Sequence, residues 1–356
     1  MTGRGIDQVL PHPSKPHLHE PYVQSALDYV RLAEAANGPI PRPVDFSYIW
    51  GDALEELRRT APDLRLVNLE TSVTTSDDWV SGKGIHYRMN PANVLCITAA
   101  RIDCCVLANN HVLDLGRAGL AQTLQTLRKA KLKTAGAAGD LASAQNPAVM
   151  EIPGKGRVLV FAFGATTSGI PEDWAANDDH GGVVLLPDLG EETVSRIARR
   201  VAALKRPRDV VVASIHWGDN WGYEVPRDHR DFAHNLIDQA AVDILHGHSS
   251  HHPKGIEVYK GKPILYGCGD FLNDYEGIGG YEEFRSHLVL MYLPTIESSS
   301  GNLLRFHMKP FEIKRFRLHR ASTQDAEWSR GVLDRESAAL GAQVSLGADN
   351  TLALKW

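Results

Sequence analysis

Histidine and its neighbours carry most of the chemistry this chain could do. Of its 16 histidines, four fall within His246-Gly247-His248-Ser249-Ser250-His251-His252. Other residues able to hold a cation stand just behind short apolar runs. Glu70 follows residues 64–67, Asn110 and His111 follow 103–107, and His216 follows 209–215. A carboxylate can bridge two cations, and an amide oxygen with imidazole nitrogens completes shells for Mn, Zn or Fe without any thiolate. Two such ions, about 3.5–4 Å apart, would activate a water and stabilise charge on the group it attacks. Each residue has a plainer alternative. Glu70 could cap a turn, Asn109-Asn110 could form one in the left-handed region, and His216 beside Trp217 could be a hydrogen-bonded core histidine. The histidine run could be a solvated loop. Recurrence behind four successive apolar runs is what points to a metal site.

The elements that must position these residues read as alternating strands and helices. Strands are expected at 64–67, 103–107, 158–163, 209–215 and 242–245, and helices at 120–130, 191–204 and 228–239. Lys260-Gly261-Lys262 reads as the turn of a hairpin. Such alternation implies a sheet covered on both faces, and open α/β sheets gather their sites at the carboxyl ends of the strands. The first fifty residues hold seven prolines around one helical stretch, 22–36, with Val23, Ala26, Leu27, Val30 and Ala33 on one face. That stretch is expected to form an ordered lobe wrapped on the surface. Beyond about residue 285 the pattern turns to long strands at 287–293 and 303–318 and a closing hairpin at 344–354. With no repeat and no low-complexity linker, the chain reads as one domain over 1–356, irregular over 1–60.

Composition narrows the function classes. The chain has 356 residues, 43% of them hydrophobic, and a formal net charge of −5 without long runs of one sign. A dedicated nucleic-acid surface would show clustered Lys and Arg. No stretch approaches the roughly 20 apolar residues of a membrane helix, and the first residues lack the apolar core of a signal peptide. The reading is a cytoplasmic protein with neither nucleic acid nor membrane as partner. Cys104 and Cys105 lie in an apolar run, Cys96 and Cys268 stand alone, and no CxxC pair occurs, so the thiols read as reduced and structural.

Four segments together resemble a family. Asn68-Leu69-Glu70, Ala108-Asn109-Asn110-His111-Val112-Leu113-Asp114, His216-Trp217-Gly218 and Gly247-His248-Ser249-Ser250-His251 are similar, in order, to the motifs of the poly-γ-glutamate capsule synthesis (CapA-like) proteins. The following segment, Gly261 to Phe271, resembles the next motif, with Asp270 where the pattern usually has Asn. The likeness spans roughly residues 1 to 275. It implies the calcineurin-like metallophosphoesterase fold, an α/β architecture in which a β-sandwich is flanked by helices (four layers, α/β/β/α).

The resemblance also implies roles. Glu70 takes the bridging-carboxylate position, and Asn110, His216, His248 and His251 are metal ligands. His111 is the substrate-facing acid or electrostatic stabiliser, oriented by Asp114. Asn68 and Arg4 would contact substrate, Arg4 by meeting an anionic group. His246 and His252 stand nearby without a ligand role. In the family a strand ending in Gly-Asp comes just ahead of a Gly-Arg pair and supplies another ligand. Gly3-Arg4-Gly5 matches that pair, so that strand is expected ahead of Met1 or the site lacks one edge.

The leading expectation is a hydrolase with two divalent ions (Mn, Zn or Fe), acting on a phosphate ester or related small anionic substrate. A second is amide chemistry at the same metals, hydrolysing or forming a γ-glutamyl-type bond. A third is a degenerate fold that binds a ligand without catalysis.

Overall fold

A computed structural model describes all 356 residues. Its largest sheet is built around Val210–His216, a run buried along its whole length. β-Branched residues favour such a pleated, two-sided burial. This strand pairs in parallel with Gly156–Ala165 on one side and Ile244–His248 on the other. Ile244–His248 pairs in parallel with Lys262–Leu265, which turns back antiparallel onto Ile256–Tyr259. The hairpin turn holds Lys260 at φ 49° and Gly261 at φ 78°, the left-handed pair that a two-residue hairpin loop demands. The register sets His216 opposite His248, so both histidines leave the sheet at one level.

A smaller parallel sheet holds Leu66–Asn68, Cys104–Val106 and Lys133–Ala135. Asn68 lies opposite Val106, which releases the loops carrying Glu70 and Asn110 from the same end. The third sheet is antiparallel. It comprises Leu288–Ile296, Leu303–Lys314, Leu352–Lys355 and Gln343–Leu346, with Arg317–Arg320 folded onto Leu303–Lys314.

Strand alternation divides the core. Val211, Ala213 and Ile215 pack with Ile197 and Val201 of helix Glu191–Leu204 and with Phe232 and Leu236 of helix Arg227–Ala240. From the opposite face, Val212, Val160 and Ala162 share a core with Val106 of the small sheet and Met291 and Phe311 of the antiparallel one. The large sheet is therefore covered by helices on one side and by the other two sheets on the other.

Two sequence expectations change. Helix Ala26–Asn37 is not a surface lobe: Val30 and Ala33 are fully buried in that shared core. It packs on a short helix, Gly5–Val9, so closely that a Cβ on Gly5 would come within 2.9 Å of the Tyr29 Cβ. A helix at Thr323–Ala338 interrupts the C-terminal strands. Its buried face mixes Ala326, Ser329 and Ser337 with Val332 and Leu333, which leaves a faint apolar stripe in the sequence. No helix is long and apolar enough to cross a membrane. A cavity of about 1370 Å³ lies along Leu66–Asn68 and Leu288–Ile296, the edge strands of their sheets, and reaches Glu70, His248 and Asp270.

Candidate metal and proton-transfer centre

The small sheet supplies the first half of the site. Asn68 closes its strand and donates from Nδ2 to Glu70 Oε2 at 2.8 Å. Asn109 Nδ2 donates to Asn68 Oδ1 at 2.9 Å and to the Leu69 carbonyl at 3.0 Å, while Asn109 Oδ1 accepts from the His111 backbone N–H. Asn68, expected to meet substrate, is instead engaged at both ends of its amide and aims Glu70. Asn109 is the staple between the two strand-end loops. Sequence reasoning gave it no role, because its neighbour Asn110 filled the motif position.

His111 Nδ1 lies 2.7 Å from Asp114 Oδ2, an oxygen that also accepts from the Tyr87 backbone N–H at 2.6 Å. A carboxylate accepts only, so Nδ1 carries the proton and Nε2 keeps its lone pair. Burial drives the His111 pKa down to about 4, against the pull of Asp114. Burial would raise Asp114, but His111 and Lys83 hold it below its ordinary value. Lys83 went unnoticed in the sequence. It sits between Gly82 and Gly84, and its ammonium contacts Asp114 Oδ1 and the Asn110 carbonyl and lies 3.1 Å from His111 Nδ1.

The large sheet supplies the second half. His216 Nε2 is 3.2 Å from Asn110 Oδ1 and 3.9 Å from Glu70 Oε1. Its Nδ1 lies 2.7 Å from His248 Nδ1, and His248 Nε2 is 2.9 Å from Ser214 Oγ. The same hydroxyl stands 2.9 Å from His246 Nδ1. Burial holds His216 and His248 well below the ordinary histidine value, so both are neutral.

His251 Nδ1 is 3.2 Å from both oxygens of Asp270, and its Nε2 is 3.4 Å from the Tyr275 hydroxyl. Burial alone would lower the His251 pKa, yet Asp270 raises it overall. Asp270 belongs to the site, although the sequence marks it only as a departure from a motif. It follows strand Lys262–Leu265, so the strand-end rule that found the others would have found it. Glu70 is pushed up to about 7 by burial, with His251 pulling it down and Asp270 pushing it up.

Glu70, Asn110 and His216 therefore point at a common region. Bonds of about 2.1 Å at angles near 90–120° set ligand atoms roughly 3–3.6 Å apart, a range that includes the 3.2 Å between His216 and Asn110 and is exceeded by the 3.9 Å between His216 and Glu70. These three are the donors that would hold a divalent cation, with Glu70 moving slightly inward. No three imidazole, carboxylate or thiol groups converge by themselves, so the amide oxygen is needed to complete the trio. His248 and His251, expected as ligands, stand beside it with ring nitrogens turned to His216, Ser214 and Asp270. A second ion would require them to exchange those partners.

Arg4 is a correction. Its guanidinium donates to both oxygens of Asp274, at 2.9 and 2.7 Å, and to Glu20 and Tyr29 at 3.1 and 2.9 Å. The side chain is 1% exposed. It clamps the N-terminal segment to the loop after Asp270 rather than facing an anionic substrate.

The layers and the histidine-rich strand ends define an α/β protein with a candidate cation site at the carboxyl edge of its sheets. The chain belongs to the bacterial capsule synthesis protein family, PGA_cap, whose model matches residues 1–275. It is similar to a probable polyglutamine synthesis accessory protein of Mycobacterium tuberculosis, 49% identical over 353 residues, covering 99% of this chain and 93% of that protein. It also resembles the PGA biosynthesis protein CapA of Bacillus subtilis, 28% identical over 71% of this chain and 62% of that one. The capsule biosynthesis protein CapA of Bacillus anthracis is 27% identical over 54% of this chain and 45% of its own length.

Proposed function

We propose that this protein is a metal-dependent hydrolase of the calcineurin-like metallophosphoesterase type, acting on a phosphate ester or related anionic group. The observation that carries the reading is the donor set. Glu70, the Asn110 amide oxygen and Nε2 of the neutral His216 face one region, and the neutral His248 stands behind them. Glu70, Asn110 and His216 would hold the cation, with His248 and His251 the nearest further donors. A divalent ion there supplies Lewis acidity and lowers the pKa of a bound water. The chain's own residues do the rest. His111 Nε2 takes up a proton and returns it to the leaving group, while Asp114 fixes the ring and stabilises the imidazolium. Lys83 holds Asp114 and the Asn110 carbonyl in place.

A second reading, cleavage or formation of a γ-glutamyl-type amide bond at the same centre, is favoured by the names of the relatives. They concern polyglutamine and PGA synthesis. Purified protein supplied with Mn²⁺ or Zn²⁺ and screened on phosphate esters and γ-glutamyl peptides separates the two. Turnover of esters alone supports the first reading, and turnover of peptides alone supports the second. No turnover with metal bound overturns both and leaves a binding module.

A further inference from the structure

A second cavity, of about 780 Å³, approaches the site from the other side, with His111, His251, Tyr87 and Tyr275 among its lining. It is far larger than a phosphate group needs. Of the nine large hydrophobic side chains exposed on this protein, four line this one cavity: Tyr22, Leu32, Ile278 and Tyr281. They come from two separate parts of the chain, the N-terminal segment and the loop beyond Asp270. Trp221 backs Tyr281, the rings stacked 4.0 Å apart at 8°. Apolar surface kept in water at one cleft, beside polar groups able to do chemistry, marks a ligand site.

The charges restrict the ligand. The only lysines and arginines that line the cavity are Arg4, Arg285 and Lys314. Each has a carboxylate partner: Asp274 and Glu20 for Arg4, Asp325 at 3.5 Å for Arg285, and Glu312 at 2.9 Å for Lys314. His287 is kept toward its neutral form by burial. Beyond Glu312, which is taken up by Lys314, two further glutamates, Glu276 and Glu282, line the same space. A chain of carboxylates entering here would find no unpaired cation and would be repelled by its own kind.

We propose that this cleft seats a neutral, amide-bearing peptide chain, the unreacting part of a substrate whose reacting group lies at His111. The inference rests on the reading of that centre as catalytic. Planar amides can lie on the rings of Tyr22 and Tyr281, and the paired charges of the walls do not penalise an uncharged chain.

The test is binding of two peptide probes of equal length, one of glutamine and one of glutamate, both blocked at their ends. Titration calorimetry on the full chain, with and without Mn²⁺, needs no turnover. The glutamine peptide should bind at least about tenfold more tightly. Tyr22→Ala and Tyr281→Ala should each weaken it about three- to tenfold with the melting temperature unchanged. Equal or tighter binding of the glutamate peptide, no binding of either peptide, or insensitivity to both substitutions overturns the proposal. Preference for the glutamine peptide in a protein that never turns over any substrate sinks only the hydrolase reading.

Discussion

The two halves of the site are built on opposite terms. On the small-sheet side His111 has a carboxylate at 2.7 Å, a lysine nearby and a staple through Asn109. On the large-sheet side His216 and His248 have each other at 2.7 Å and the Ser214 hydroxyl, with no carboxylate in hydrogen-bonding contact. On the proposed reading the first half is preorganised for proton transfer by the protein alone. The second holds buried neutral imidazoles whose ring nitrogens meet only each other, the Ser214 hydroxyl and the Asn110 amide oxygen, contacts that a cation held there would replace. On that reading, the acid–base pair belongs to the small-sheet half alone, whereas the cation site would take Glu70 and Asn110 from that half and His216 from the other, with Asn110 at the junction. Its side-chain oxygen meets His216, and its carbonyl meets Lys83.

That division can be broken by substitution. His111→Ala should lower kcat by about 10²–10⁴-fold while leaving bound metal near the wild-type level. Metal analysis of that variant checks the split, and loss of metal would move His111 into the ligand set. Glu70→Gln should act the opposite way, weakening metal affinity by about 100-fold or more, because it removes the charge that offsets the cation. Competition with a chelator measures it, and affinity equal to that of His246→Ala would end the assignment of Glu70 as a ligand.

Glu70 also gives a test by pH. Its pKa rises from 4.5 when free to about 7 in the metal-free fold, chiefly through burial. The folded state then binds the proton more tightly than the unfolded one, so stability falls as pH rises from about 4.5 to 7. Glu70→Gln should therefore raise metal-free stability at pH 8 by up to about 3 kcal/mol and change it little at pH 4. Denaturant titrations at the two pH values decide this, and an equal effect at both would contradict it. The smallest effect is expected at His246, whose ring has the Ser214 hydroxyl as its one hydrogen-bonding partner and otherwise packs against His248. His246→Ala should weaken metal binding by no more than about tenfold.

Much of this arrangement was legible in the sequence because strands and site obey one rule: an apolar β-run ends, and a polar residue follows. Glu191–Leu204 appears with the boundaries its periodicity suggests, and the hairpin turn sits at Lys260-Gly261. What stayed hidden depends on distant partners. Arg4 reads as a substrate contact until Asp274, 270 residues away, takes its guanidinium. Lys83 lies in a glycine-flanked loop with no periodic pattern, and only the folded chain lays it against Asp114. Asn68 looked outward because nothing local says that Asn109 will reach it. Helix Thr323–Ala338 was missed because its buried face carries small and polar residues.

The central claim is that Glu70, Asn110 and His216 form a cation site. Its most direct test is metal analysis by mass spectrometry of the purified full chain, after equilibration with Mn²⁺, Zn²⁺ or Fe²⁺ and removal of excess ion. The account predicts at least one ion per chain in the wild type, retained in His111→Ala and lost in Glu70→Gln and His216→Ala. A wild-type protein that retains none of the three ions, or variants of Glu70 and His216 that retain as much as the wild type, would contradict it.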